Sequence, residues 1–108
     1  MELLRALKAL ANPIRLQVFD MLMEGVQCSC EISGRLGLAP NLISYHMRIL
    51  EEAGLVESER DPDDARWIYY SVRRPALEAL RRQLDAFLDP ARIKPRVPSC
   101  GPWRRRRS

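Results

Sequence analysis

Apolar and polar positions along this chain change period twice, and those changes divide it into elements. From Glu2 to Ala11, Leu3, Leu4, Leu7 and Leu10 recur at helical spacing and predict a first amphipathic helix. Asn12-Pro13 has the form of an N-cap followed by a first helical residue, starting a second helix that runs to about Met23. Its expected apolar face is Ile14, Leu16, Val18 and Leu22, with Phe19 and Met21 filling in, and Gly25 stops it. Val26-Gln27 is a short extended link. Ser29 is then expected to cap a third helix, Cys30 to Leu36, closed by Gly37. After the turn Gly37-Leu38-Ala39, a fourth helix opens on Pro40 and ends at Gly54, with Ile43, Met47 and Leu50 as its buried stripe.

Beyond Gly54 the period falls from helical to two. Residues 55–60 and 66–72 alternate like paired strands around the turn-rich Asp61-Pro62-Asp63-Asp64-Ala65. Arg74-Pro75 opens a last helix to about Leu88, with Leu77, Leu80, Leu84 and Phe87 in a stripe. The order helix, helix, helix-turn-helix, hairpin, helix predicts a mainly α fold with one β-hairpin, a winged helix-turn-helix over residues 1–88. Residues 89–108 hold Pro90, Pro95, Pro98 and Pro102 among arginines, and a flexible tail is expected there.

The face of the fourth helix opposite its stripe carries Asn41, Ser44, Tyr45 and Arg48. It is short of carboxylates and rich in groups that hydrogen-bond bases and phosphates, the composition of a DNA recognition helix. Bulk charge does not make the same argument. The net charge is +4, but residues 89–108 carry seven Lys/Arg against Asp89 alone, leaving residues 1–88 at −2. A slightly acidic body can hold DNA only through a local patch. Arg60 and Arg66, flanking the hairpin turn, extend that patch, whereas Asp61, Asp63 and Asp64 oppose deep insertion into a groove. The alternative for these arginines is a solvated face. Arg104 to Arg107 suit a loose, salt-dependent tether to phosphates or a solvated tail; Trp103 beside them has no assignment.

With 108 residues, 46% of them hydrophobic, one small domain with a modest core is expected. No stretch approaches a membrane span and no export signal is legible, so the three cysteines read as free thiols in a reducing cytoplasm.

Three segments, ALANPIRLQVFDML, ISYHMRILEEAGLV and RWIYYSV, in this order and spacing, resemble the ArsR/SmtB family of bacterial metal-responsive repressors. The resemblance covers residue 2 to about residue 88. It implies a homodimer built on the first and last helices, a recognition helix in the major groove, and release from double-stranded operator DNA when an inducer binds. The family's motif also has a histidine where this chain has His46. That side chain lies beside the buried stripe, and it either orients the helix through a structural hydrogen bond or contacts DNA.

Cys28-Ser29-Cys30 stands where the arsenic- and cadmium-sensing branches of the family carry a Cys-x-Cys. One cysteine before a helix and one in its first turn can converge, and the positive end of the helix favours the thiolate. His46 is the only histidine, so the Asp/His zinc site of the family's zinc sensors is absent. Three thiols in all suit a soft ion: As(III) or Sb(III) first, then Cd(II), Pb(II) or Cu(I). Arsenic sensors with a third cysteine in this motif have it where this chain has Ser33. Either Cys100 closes a three-thiol site from the tail of the same or the partner chain, or Cys28 and Cys30 form a two-thiol site for an organoarsenical such as methylarsenite. The alternative for Cys100 is an unpaired tail thiol.

No obligatory cofactor is implied. A rival within the regulator class is thiol redox sensing, in which strain in a Cys28–Cys30 ring favours a disulfide with Cys100. An enzyme with a Cys-x-Cys redox site is the rival from another class; no base or nucleotide loop supports it. A winged helix used only for protein contacts is opposed by the polar face of residues 41–48.

Overall fold

The computed structural model describes residues 2–102. In order these form α1 (Glu2–Leu10), α2 (Pro13–Leu22), β1 (Gln27–Cys28), α3 (Ser29–Leu36), α4 (Pro40–Glu52), β2 (Val56–Arg60), β3 (Ile68–Val72) and α5 (Arg74–Phe87), followed by a 3-10 turn at Pro90–Arg92. The three strands make one antiparallel sheet in the order β1-β3-β2. Val56 pairs with Val72 and Arg60 with Ile68, so the hairpin is in register along its whole length. Gln27 and Cys28 lie opposite Tyr70 and Tyr69, making the expected link a third strand. The arginines of 104–107 and Trp103 lie outside the described residues.

Local chemistry sets the boundaries. Asn12 Oδ1 accepts from the backbone N–H groups of Ile14 and Arg15 at 2.9 and 3.2 Å, and Pro13 follows as the first helical residue. Helix α4 ends in a Schellman arrangement: Leu55 N–H donates to the Leu50 carbonyl and Gly54 N–H to that of Glu51, with Gly54 at φ 77°. A side chain with a Cβ is strained there, which is why glycine stops the helix.

The core gathers Val18, Met21 and Leu22 of α2, Ile32 of α3, Ile43, Met47 and Leu50 of α4, Leu55, Val56, Tyr70 and Leu80. The stripe expected on α4 is fully buried; the one expected on α1 is not. Leu3 is buried, but Ala6 and Ala9 complete the inner face, while Leu4 and Leu7 point outward at 49% and 37% exposure. Two alanines let α1 approach α2 and α4 closely, and the larger leucines are turned to the opposite side. Leu16, expected inside, is likewise 54% exposed, with Met21 taking core space in its place.

Candidate nucleic-acid interface and thiol pair

Asn41, Ser44, Tyr45 and Arg48 all lie on the exposed face of α4. Their spacing of three and four residues stacks them along one side of the helix. No side chain caps the start of α4, where Ala39 is the N-cap. The positive end of the helix therefore faces outward beside this polar strip, a setting that favours phosphate.

His46 is not part of that strip. It is 5% exposed, and its Nδ1 accepts from Arg15 Nη1 at 3.0 Å. Of the two roles expected for it, packing leaves the structural one: the ring turns inward between α4 and α2, behind the surface DNA would reach. Burial, and then the neighbouring Arg15 charge, hold its pKa below the usual histidine value of 6.5. Because a guanidinium can only donate, Nδ1 is the acceptor in this bond. Arg15 Nε meanwhile donates to the Ala9 carbonyl at 2.5 Å, so one guanidinium joins the end of α1 to the middle of α4. Sequence spacing gave no sign of this, because the partners are 31 residues apart.

Arg60 and Arg66 are exposed at the wing, but both are engaged. Arg60 Nη1 donates to the Ala65 carbonyl at 2.6 Å, and Arg66 pairs with Asp64 at 2.7 Å. Asp61 organises the tip. Its Oδ1 accepts from Asp63 N–H at 2.8 Å and Asp64 N–H at 3.1 Å, and its Oδ2 from the Tyr69 hydroxyl at 2.8 Å. Those bonds, the one from Asp63 N–H first, hold the Asp61 carboxyl below the usual carboxylate range. The acids that looked unhelpful for DNA contact thus shape the turn. The Arg66–Asp64 pair is on the surface, so a phosphate can compete for the guanidinium at little cost.

The two sulfurs of Cys28 and Cys30 meet where β1 turns into α3. Cys28 is extended (φ −75°, ψ 147°) and Cys30 is already helical, leaving their Cα atoms 5.3 Å apart, within ordinary bridging distance, and the sulfurs in bonding contact. The expected oxidised pair with Cys100 is not formed; Cys100 is free and exposed. A correction applies to the cap as well. Cys28, not Ser29, caps α3: its Sγ accepts from Cys30 N–H at 3.3 Å, while Glu31 Oε1 returns a bond by accepting from Cys28 N–H at 2.8 Å. This is a capping box with sulfur in place of a hydroxyl. Cys28 is buried and Cys30 exposed, so one edge of the pair is open to solvent.

Cys100 is not gathered with the pair, and no group of three His, Cys, Asp or Glu side chains able to hold a metal occurs among the described residues. With both thiols reduced, the donor set within one chain is two sulfurs, which fits a soft ion that brings its remaining ligand with it. Ser33, at the position of the missing third thiol, has another task. Its Oγ donates to the Leu38 carbonyl at 2.6 Å, and its own carbonyl accepts from Gly37 and Leu38 N–H, tying the end of α3 to the turn before α4.

Comparison with known proteins agrees with this fold. Residues 12–58 match the family described as bacterial regulatory protein, arsR family. An arsenical resistance operon repressor of Bacillus subtilis is 30% identical over 74 residues, spanning 68% of this chain and 68% of that protein. A crystal structure of a possible transcriptional regulator for arsenical resistance superposes with TM-score 0.67 at 32% identity, covering 76% of this chain and 82% of the other. The homodimeric winged helix-turn-helix domain of Mb0332 from Mycobacterium bovis superposes with TM-score 0.63 at 30% identity, covering 80% and 74%. No helix among the described residues is long and apolar enough to cross a membrane. On the recognition helix, the wing and these likenesses together, the chain belongs to the arsR family of bacterial regulatory proteins and is a DNA-binding transcription regulator of the repressor type, not an enzyme.

Proposed function

We propose that this protein binds double-stranded operator DNA as a homodimer in the cytoplasm and is released when a thiophilic inducer engages Cys28 and Cys30. The inducer class is As(III) or Sb(III), or an organoarsenical, with Cd(II) and Pb(II) behind. The observation that carries the reading is the convergence of two sulfurs at the N-cap of the helix packed against α4. Asn41, Ser44 and Tyr45 contact base edges, and Arg48, Arg60 and Arg66 contact phosphates or guanine. The dimer forms through the first and last helices, whose Leu4 and Leu7 on α1 and Phe87 and Leu88 at the end of α5 are all exposed in the single chain.

The cap supplies the mechanism. Cys28 Sγ holds the first turn of α3 through Cys30 N–H, and the same atom is the inducer's ligand. Drawing that sulfur into a new bond withdraws the cap, worth about 1 kcal/mol in comparable helices. The first turn of α3 is displaced, and α4 moves with it out of register with the groove. A coupling of about 1–3 kcal/mol is typical of such switches. By reciprocity, operator DNA weakens inducer binding. Cys100 from the same or the partner chain is the candidate third thiolate for an inorganic ion.

The 5.3 Å between the two Cα atoms, within ordinary bridging distance, also favours a second reading. An oxidant such as peroxide takes two electrons and two protons from the two thiols, forming the Cys28–Cys30 bond and water, and changes the cap of α3 from a thiol to a disulfide sulfur.

The test is titration of arsenite, methylarsenite, antimonite, cadmium, zinc and peroxide into a preformed DNA complex, repeated with Cys28→Ser, Cys30→Ser and Cys100→Ser. Release by a thiophile that survives both Cys28→Ser and Cys30→Ser means the site is elsewhere. Release by peroxide alone selects the redox reading.

A further inference from the structure

Helix α1 touches the recognition helix through side chains that the DNA surface and the thiol pair do not use. At one end, Arg15 at the start of α2 donates from Nε to the Ala9 carbonyl in the last turn of α1 and from Nη1 to His46 Nδ1 in the middle of α4. At the other end, Arg5 of α1 donates from Nη2 to the Glu52 carbonyl in the last turn of α4, at 2.6 Å. The Schellman bonds at the end of α4 occupy the Leu50 and Glu51 carbonyls, so Arg5 takes the next one along. His46 and Glu52 are separated by about 9 Å of helix rise. A rod held at one point can pivot; held at two, its direction is fixed.

The placement of α1 gives these bonds their meaning. Its inner face, Leu3, Ala6 and Ala9, packs on the body, while Leu4 and Leu7 point away and belong to the surface assigned above to the second copy. Helix α1 thus lies between the dimer seam and the recognition helix. A dimer reads two half-sites with centres about 34 Å apart, and a small tilt of α4 against α1 is a displacement at the groove.

We propose that Arg5 and Arg15 are positioning residues: two guanidinium latches that fix α4 against α1 and thereby set the half-site spacing the dimer accepts. The inference rests on the dimeric, operator-binding reading. The residue type fits the task. Arg15 serves two acceptors lying in different directions, which a planar guanidinium can reach and a lysine ammonium, a single point on a flexible stem, cannot. Arg5 serves one acceptor, which lysine can reach.

The test uses the full chain and duplexes selected by the wild-type protein from a randomised pool, then remade with one base pair inserted or deleted between the half-sites. Wild-type protein discriminates sharply against the altered spacings. Arg5→Ala and Arg15→Ala each lose about tenfold in affinity for the selected spacing, the scale of one hydrogen bond to a charged group, and much less for the altered ones. Discrimination collapses in both variants, while in the exposed Arg5→Ala the midpoint of thermal unfolding moves little. Arg5→Lys restores discrimination; Arg15→Lys does not. Should Arg15→Ala fail to fold, the exposed Arg5→Ala and Arg5→Lys pair decides alone. Equal losses on every spacing would make the latches stabilising contacts only and overturn the proposal. A wild-type protein that sediments as a monomer on DNA and ignores spacing sinks the dimeric reading and this proposal with it. A spacing-sensitive wild type with equally sensitive variants sinks the latches alone.

Discussion

His46 and Cys28 each do structural work with a group usually noticed for its chemistry. With its pKa lowered by burial and by the Arg15 charge, His46 takes up its proton more readily in the unfolded chain than in the folded one. The stability this gives is present above the unfolded value of 6.5 and is lost as pH falls through the folded value. We expect urea midpoints to drop between pH 7.5 and pH 5.5, with a smaller drop for His46→Gln; equal slopes would refute the assignment. Cys28 separates cap from sensor in the same way. Serine is a good N-cap, so Cys28→Ser should keep stability within about 0.5 kcal/mol while abolishing the inducer response, whereas Cys28→Ala should lose about 1 kcal/mol as well. The motif singled out both residues along the chain. It could not reveal that His46 faces Arg15 or that Cys28 is itself the cap, because the first depends on a long-range contact and the second on sulfur taking a hydroxyl's place.

Among the elements, the recognition helix and the hairpin were the most legible, since Ile43, Met47 and Leu50 at helical spacing and two alternating runs leave one way to pack each. Helix α1 was least so. It has two apolar faces, Leu3-Ala6-Ala9 and Leu4-Leu7, and periodicity does not say which is inside; closeness of approach decides for the alanines. At the wing tip, charge alone shows Asp61 and Asp64 only as acids opposing a groove, and their role as backbone acceptors is visible only in the folded turn. This gives a test confined to one element. Tyr69→Phe removes the bond to Asp61 Oδ2 without touching the strand register. Amide exchange at Asp63 and Asp64 should quicken, and operator affinity should fall modestly with the fold intact. Unchanged exchange would mean the Tyr69 bond does not hold the turn. Arg48→Ala, on the rigid helix, should weaken operator binding equally with and without inducer, measured by titration of labelled duplex.

At the level of the whole molecule, a body of net charge −2 offers a polyanion only local patches, which the proposed dimer would present twice. The exposed Leu4, Leu7, Phe87 and Leu88 are where that doubling is expected. Leu7→Asp should yield a folded monomer by sedimentation, with operator affinity reduced by far more than one lost contact; a stable dimer from this variant would place the seam elsewhere. The bond from Ser33 to the Leu38 carbonyl bears on what such a dimer is able to detect. A side chain already committed to bracing the helix-turn-helix corner is not available for coordination, and replacing it with cysteine would slacken the corner that aims the DNA-reading element. Under the proposed sensing role, selectivity would then be tilted at the level of architecture: a toxicant arriving with a carbon substituent would need only the Cys28 and Cys30 sulfurs, whereas a bare trivalent ion would need a further thiol such as Cys100, from the same or the partner chain.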